Sequence, residues 1–290
     1  MLKMVGGTNI TRRVIRFIID LGFSELADLF EKQPFSLLRF VFRSAIGEFP
    51  EYYWRRVIYD IFPNFRWELE KLIKLVEKRN DLRAIIADFI AEHIASTIRG
   101  PSTKLPFKLP NEGLIVDVGS GYLTGLSGDI VKYALWKGEI IVYLIDNGLG
   151  PSMVIPRVLK RIGASKNIVF MHVDIESVSS VDDAQLITFL HTLHEITNRL
   201  FETELMRSFG EAKMDWNILA KELPKLRTII NKIHSILGDH GRIVVVDKKI
   251  DDYDADFVGM LINDLFDIIR TEYLDERRFL VEAKKQRLAL

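Results

Sequence analysis

The chain has 290 residues, of which 40 are basic and 40 acidic, so its formal net charge is zero. This balance argues against a general nucleic-acid coat, and the 48% of hydrophobic residues argues against global disorder. The absence of cysteine excludes disulfides, thiolate nucleophiles and cysteine metal sites. No secretory signal and no membrane-spanning run are evident, so we expect a cytoplasmic protein without membrane contact. Many charges without cysteine also fit a heat-loving source.

The first hundred residues carry apolar side chains at helical spacing, which predicts a succession of helices. Gly22 is expected to end the first helix, Pro34 and Pro50 to open the next two, and Pro63 to interrupt the third. We therefore predict an all-helical N-terminal domain over residues 1–103. A proline- and glycine-rich linker is predicted over 104–112.

After the linker the pattern changes to short, continuous apolar runs that are separated by helical segments. Such runs suit strands that are covered on both faces. They lie at 114–118, 140–145, 167–171, 186–190 and 242–246. Strand and helix in alternation predict an α/β domain over 113–290 with a doubly wound, mostly parallel sheet.

Acidic residues and glycines stand where the first three strands end. The first strand runs into Asp117, Gly119 and Gly121, the second ends in Asp146, and the third leads to Asp174. Ligands of such sheets bind beyond the carboxyl ends of the strands. A dinucleotide fingerprint would have glycine or alanine where Thr124 stands, and the P-loop pattern is missing, so neither nicotinamide nor nucleoside triphosphate is favoured.

This ordered set resembles the class I S-adenosylmethionine-dependent methyltransferases, with a Rossmann-like sheet, over about residues 112–248. The acidic-x-Gly-x-Gly loop matches Asp117 to Gly121, and the acidic positions after the second and third strands match Asp146 and Asp174. Pro151-Ser152-Met153 is similar to the family's Pro-x-Met. The segment from 237 to 247 resembles the turn into the fifth strand.

The resemblance implies S-adenosylmethionine as the cofactor. Asp117 would lie near its amino group, the backbone of Gly119 to Gly121 under its ribose and carboxypropyl part, and Asp146 at the ribose hydroxyls, while Met153 would pack on adenine. The implied cofactor-binding residues are Asp117, Gly119, Ser120, Gly121, Asp146, Asn147, Met153, Asp174, Ile175 and Leu190.

Two features depart from the family pattern. Leu123 stands where many members have a third glycine, which predicts a bulkier loop. The antiparallel hairpin after the fifth strand is not evident, since residues 251–290 predict mostly one amphipathic helix, followed by a charged segment in which only 279–281 suits a strand. Two alternatives stay open: the sheet is trimmed at that edge, or the helical spacing over 251–290 is misleading and the hairpin is present.

The fourth strand runs into His191, Thr192, Leu193, His194 and Glu195. This string resembles the Leu-His-Asp-Trp segment of hydroxyl-directed small-molecule methyltransferases, which implies His194 as a general base and His191 as a weaker candidate. Lining of the pocket and capping of the next helix are the alternatives. Because the order is H-x-x-H-E rather than H-E-x-x-H, and a third ligand is lacking, we predict no metal site.

A helical insert is predicted over about 197–222, either covering the acceptor pocket or elaborating the surface. The resemblance also implies that the helical N-terminal domain over 1–103 serves as a lid, as a docking module or for homodimerisation. The resulting hypothesis is methyl transfer to a small-molecule acceptor, with a hydroxyl as one option, and with nucleic acid as an unfavoured partner. A methyltransferase acting on protein lysine or RNA is the second hypothesis. The third is a non-catalytic binding module with the same fold.

Overall fold

The computed structural model describes residues 9–100, 104–164, 166–179, 181–193, 216–249 and 253–286. They divide into two compact units, each described here by itself. The first unit comprises the described part of Met1–Pro101 together with Gly148–Gly163. The second comprises the described part of Ser102–Asn147 and of Ala164–Leu290.

The helices and strands follow one another in the order that the sequence patterns predict, with additions. The helices are α1 (Asn9–Asp20), α2 (Ala27–Lys32), α3 (Pro34–Ala45), α4 (Glu51–Ile61), α5 (Arg66–Lys78), α6 (Asn80–Arg99), α7 (Leu126–Lys137), α8 (Leu149–Ile162), α9 (Trp216–Ile236) and α10 (Ala255–Ile262). The strands are β1 (Gly113–Val118), β2 (Ile140–Ile145), β3 (Ile168–Met171), β4 (Ala184–Leu190), β5 (Leu237–Lys248), β6 (Phe266–Asp275) and β7 (Arg278–Lys285).

The first unit consists of α1 to α6 and α8. Proline starts α3 as predicted, because its missing N–H would have no partner in the first helical turn. The helices pack through fully buried side chains such as Phe30, Phe42 and Ile58. Helix α8 packs on α6, and Arg161 pairs there with Asp88 at 2.8 Å and with Glu92 at 3.1 Å.

The second unit is built on a sheet of seven strands in the order β3-β2-β1-β4-β5-β7-β6. Strands β1 to β5 are parallel to one another, and β7 is antiparallel to both β5 and β6. The predicted mostly parallel α/β sheet is thus confirmed. Strand β1 lies between β2 and β4, so strand addition changes direction at β1, and this switch point is where ligands of open α/β sheets bind.

Of the two alternatives, the trimmed sheet is wrong and the hairpin is present, because β6 and β7 form the antiparallel pair after β5. The helix expected over much of 251–290 is only the eight residues of α10. Apolar residues at 258, 261, 262, 265 and 268 keep a helical spacing past the end of α10, which hid the start of β6. Strand β6 is also an exposed edge strand with irregular register, so it lacks a clean alternation of apolar and polar residues.

The predicted insert over 197–222 lies mostly outside the described residues. Its last part, from Trp216, belongs to α9. Among the helices that the structure describes, none is both long and apolar enough to cross a membrane.

Candidate functional site

The loop after β1 lies at the switch point, and its backbone N–H groups are engaged by β2. Gly119 N donates to the carbonyl of Ile145 at 2.7 Å, and Ser120 N donates to the same carbonyl at 3.3 Å. Gly121 N donates to Oδ2 of Asp146 at 2.8 Å. Each amide has one proton to donate. This loop therefore does not present the row of available N–H groups that cradles phosphate in a dinucleotide-binding turn.

The two glycines of the loop are needed for different reasons. Both have left-handed backbones, with φ of 69° at Gly119 and 54° at Gly121. A Cβ on Gly119 would lie 1.9 Å from Cγ2 of Thr192, so a side chain there has no room. A Cβ on Gly121 would meet only the carbonyl oxygen of Gly119, at 3.9 Å. The loop is therefore closed against β4 at Gly119 and open at Gly121.

Asp117 is the last residue but one of β1, and it is 0% exposed. Its Oδ1 accepts a hydrogen bond of 2.7 Å from Thr188 on the neighbouring strand β4. Its Oδ2 is buried and has no hydrogen-bond partner among the described residues. Burial raises the pKa of Asp117 to about 6, against the smaller opposing effects of the Thr188 and Ser127 hydroxyls.

The acids after β2 and β3 lie in a much more open environment. Asp146 is half-buried and holds Gly121, as described above. The side-chain amide of Asn147 donates to Oδ1 of Asp174, which is exposed. A ring nitrogen of His172 lies 3.0 Å from the carbonyl oxygen of Asn147. The structure therefore brings Asn147 and Asp174 together at the ends of β2 and β3, as the sequence order suggests.

The end of β4 contributes Leu190 and His191. Leu190 is buried, and His191 has a left-handed backbone with φ of 58°. The N–H of His191 donates to the carbonyl of Val246 on β5 at 2.7 Å, so the chain turns sharply after β4. His194 lies outside the described residues, and its suggested role as a base stays a prediction.

Three other predicted residues have distinct surroundings. Ser120 is buried, and its hydroxyl has no hydrogen-bond partner among the described residues. Ile175 is part of the apolar core of the second unit. Met153 lies on α8 in the first unit, where its carbonyl accepts from Arg157.

Leu123 does not add the bulk to the loop surface that its position suggested. Its side chain is buried in the core, and its backbone has φ of 57°. A leucine in this left-handed region is strained. We infer that burial of the side chain offsets this strain.

Two threonines were not predicted from the sequence: Thr188, which holds Asp117, and Thr192, which holds the glycine loop. Thr188 was visible as the one polar residue in the apolar run 186–190, and a buried hydroxyl needs a partner. Thr192 carried no such signal, because it stands between two histidines that drew the chemical interpretation.

No family model matches the sequence, and no curated protein sequence matches it. Solved structures with a similar fold include the N-methyltransferase NodS from Bradyrhizobium japonicum WM9, with 13% identity, a TM-score of 0.40, and coverage of 69% of this chain and 94% of that one. A SAM-dependent methyltransferase from Aquifex aeolicus has 14% identity, a TM-score of 0.42, and coverage of 68% and 89%. The 1,6-didemethyltoxoflavin-N1-methyltransferase from Burkholderia thailandensis has 14% identity, a TM-score of 0.42, and coverage of 69% and 79%.

Identities and TM-scores this low assign neither an activity nor a ligand to this chain. The fold rests on the sheet itself. The strand order, the switch point at β1 and the single antiparallel strand β7 are those of the Rossmann-like methyltransferase fold. The resemblance in the sequence is thus matched by the topology.

Proposed function

We propose that the protein is an S-adenosylmethionine-dependent methyltransferase that acts on a small-molecule acceptor. The observation that carries the proposal is the buried Oδ2 of Asp117, which has no partner among the described residues. A buried carboxylate is costly unless a cation or hydrogen-bond donor meets it. The amino group of S-adenosylmethionine is a cationic donor of the kind that such an oxygen requires.

The engaged loop amides support this cofactor over a nicotinamide dinucleotide. A pyrophosphate needs several free N–H groups at the turn after the first strand. Here the N–H groups of Gly119, Ser120 and Gly121 all donate within the protein. A negatively charged group would also be repelled by Asp117 and Asp146 at the same turn.

The remaining residues fit the other parts of the cofactor. The space beside Gly121 leaves the loop backbone accessible to a ligand. Carboxylates accept hydrogen bonds from hydroxyl groups, which supports Asp146 as the ribose contact. Asn147 and Asp174, paired at the ends of β2 and β3, offer polar groups for an adenine amino group.

When bound, S-adenosylmethionine supplies a methyl group on a sulfonium, and the acceptor atom bonds to that carbon as the sulfur–carbon bond breaks. The protein has to align the acceptor, exclude water and remove a proton where the acceptor needs it. We assign His194 to the proton removal and His191 to the pocket, with Leu190 as apolar lining. The zero net charge supports a small acceptor over a polyanion.

The proposal is tested by calorimetric titration of the full chain with S-adenosylmethionine and, separately, with NAD. We expect micromolar binding of the first and no binding of the second. Binding of NAD alone, or of neither compound, would overturn the proposal, and binding of neither would favour a non-catalytic module.

The acceptor class needs a separate measurement, because cofactor binding does not distinguish the acceptors. Radiolabelled methyl transfer would be compared between fractionated small metabolites, a lysine-rich protein fraction and total RNA. Labelling of the metabolite fraction is the expected result. Labelling of protein or RNA would move the assignment to that class, and binding of the cofactor without any transfer would point to a binding module.

A further inference from the structure

Thr192 lies just beyond β4 and reaches across to the glycine loop after β1. Its hydroxyl donates to the carbonyl oxygen of Gly119 at 2.8 Å, and it also lies 3.1 Å from the carbonyl oxygen of Leu190. The residue is only 7% exposed. The hydrogen bond therefore forms in a largely desolvated place, where losing it is costly.

Contact with Gly119 is also steric. Cγ2 of Thr192 occupies the space that a Cβ on Gly119 would need. The hydroxyl thus fixes the carbonyl direction while the methyl group sets how close the loop can come. The hydroxyl and the methyl group of Thr192 therefore both contact Gly119, which directly precedes Ser120 and Gly121.

The loop is consequently held from both sides. On one side, the N–H groups of Gly119 and Ser120 donate to the carbonyl of Ile145 at the end of β2. On the other side, the carbonyl of Gly119 accepts a hydrogen bond from Thr192, just beyond β4. The backbone of His191 is left-handed and redirects the chain after Leu190, just before Thr192 contacts Gly119. A non-glycine residue in this conformation is a strain that the surrounding structure must support.

We propose that Thr192 is a positioning residue for the cofactor: its hydroxyl holds the peptide of Gly119 so that the backbone of Gly119 to Gly121 faces the bound ligand. The inference rests on the proposed function and adds a residue to it.

The test compares Thr192→Val, which keeps the shape and removes the hydroxyl, with Thr192→Ser, which keeps the hydroxyl and removes the methyl group. We expect the valine variant to weaken S-adenosylmethionine binding by about tenfold and the serine variant to stay within about threefold of the wild type. Thr228→Val is the matched control. Thr228 is exposed, and its hydroxyl bonds only locally, to the carbonyl of Pro224 at 3.0 Å.

Wild-type affinity in the valine variant would overturn the proposal, as would equal losses in the valine and serine variants. Should the valine variant not fold, Thr192→Ala replaces it in the comparison. Amide hydrogen exchange without ligand is the second measurement, and we expect faster exchange at 119–121 in the valine variant and wild-type rates in the serine variant. Unchanged exchange in the valine variant would overturn the positioning role of Thr192, whether or not the wild type binds S-adenosylmethionine. Failure of the wild type to bind S-adenosylmethionine would instead overturn the proposed function.

Discussion

Asp117 lies near the end of β1 and Asp174 lies after β3 of the same sheet, yet their surroundings differ in almost every respect. Asp117 is fully buried, its pKa is raised to about 6, and one of its oxygens has no partner among the described residues. Asp174 is exposed and accepts a hydrogen bond from Asn147. The difference teaches that the order of acids along the sequence does not reveal their burial. A buried carboxylate oxygen without a partner among the described residues marks the acid whose contact with the cofactor should contribute most to binding.

The largest effect is expected for Asp117→Asn. The variant removes the charge that would face the cofactor amino group, and we expect it to weaken S-adenosylmethionine binding by about 3 kcal/mol, or roughly 150-fold. Calorimetry at neutral pH measures the change.

Asp247→Asn is the matched control for this substitution. Asp247 is equally buried, but its oxygens accept from Lys248 N and from the Tyr253 hydroxyl, both at 2.8 Å. We expect it to bind the cofactor within about threefold of the wild type. Equal losses in the two variants would mean that burial of an acid, rather than its missing partner, explains the effect.

Asp146→Ala is expected to have the next largest effect on affinity. It removes the proposed ribose contact and the acceptor of Gly121 N, so binding of S-adenosylmethionine should weaken by about 2–3 kcal/mol, roughly 30- to 150-fold. Titration with analogues of S-adenosylmethionine that lack the ribose hydroxyls gives the check. An analogue that lacks the ribose hydroxyls should bind the variant and the wild type more nearly alike, and wild-type affinity for the intact cofactor would refute the contact.

The raised pKa of Asp117 predicts how the stability of the ligand-free protein depends on pH. Because the folded-state pKa of about 6 lies above the ordinary 3.8, the folded protein binds this proton more tightly than the unfolded chain. Its stabilising effect is present below the ordinary pKa and is lost as the pH rises through about 6. Relative to Asp117→Asn, the wild type should lose about 2 kcal/mol of unfolding free energy between about pH 4.5 and about pH 8. Urea unfolding across this pH range measures the loss. If the unfolding free energies of the wild type and of Asp117→Asn depended on pH in the same way, the raised pKa of the buried Asp117 would be contradicted.

The smallest effect is expected for Asp174→Asn. The substitution keeps the size of an exposed side chain and removes only its charge, so the free energy of unfolding should change by less than about 0.5 kcal/mol. Affinity for the cofactor should fall by no more than about threefold. Thermal unfolding and calorimetry on one preparation test both values. A loss comparable to that of Asp117→Asn would erase the contrast between the buried and the exposed acid.

Most of the fold could be predicted because its patterns are local. Continuous apolar runs predicted β1 to β5, and proline and glycine predicted several helix ends. The β6–β7 hairpin could not be predicted in this way. Strand β6 exposes Ile268, Ile269 and Tyr273 at the edge of the sheet, so burial imposes no regular alternation on its sequence.

The candidate site was only partly accessible from the sequence. The acids at strand ends and the glycines between them follow from the order of residues. The partners of those groups come from strands that are distant in the chain, as Thr188 is from Asp117 and Thr192 from Gly119. Nothing in the spacing of residues within one segment records such a pairing.

The sequence by itself determined the alternation of strands and helices, the acids and glycines at the strand ends, and the lack of thiol chemistry. Only the tertiary structure decided which acid is fully buried with one oxygen lacking a partner among the described residues, and which loop amides are already engaged. It also decided that Thr188 holds Asp117 and that Thr192 holds the loop. The reason is physical. Secondary structure follows from periodicity along the chain, whereas burial and the pKa of a carboxylate depend on neighbours that the folded sheet brings together.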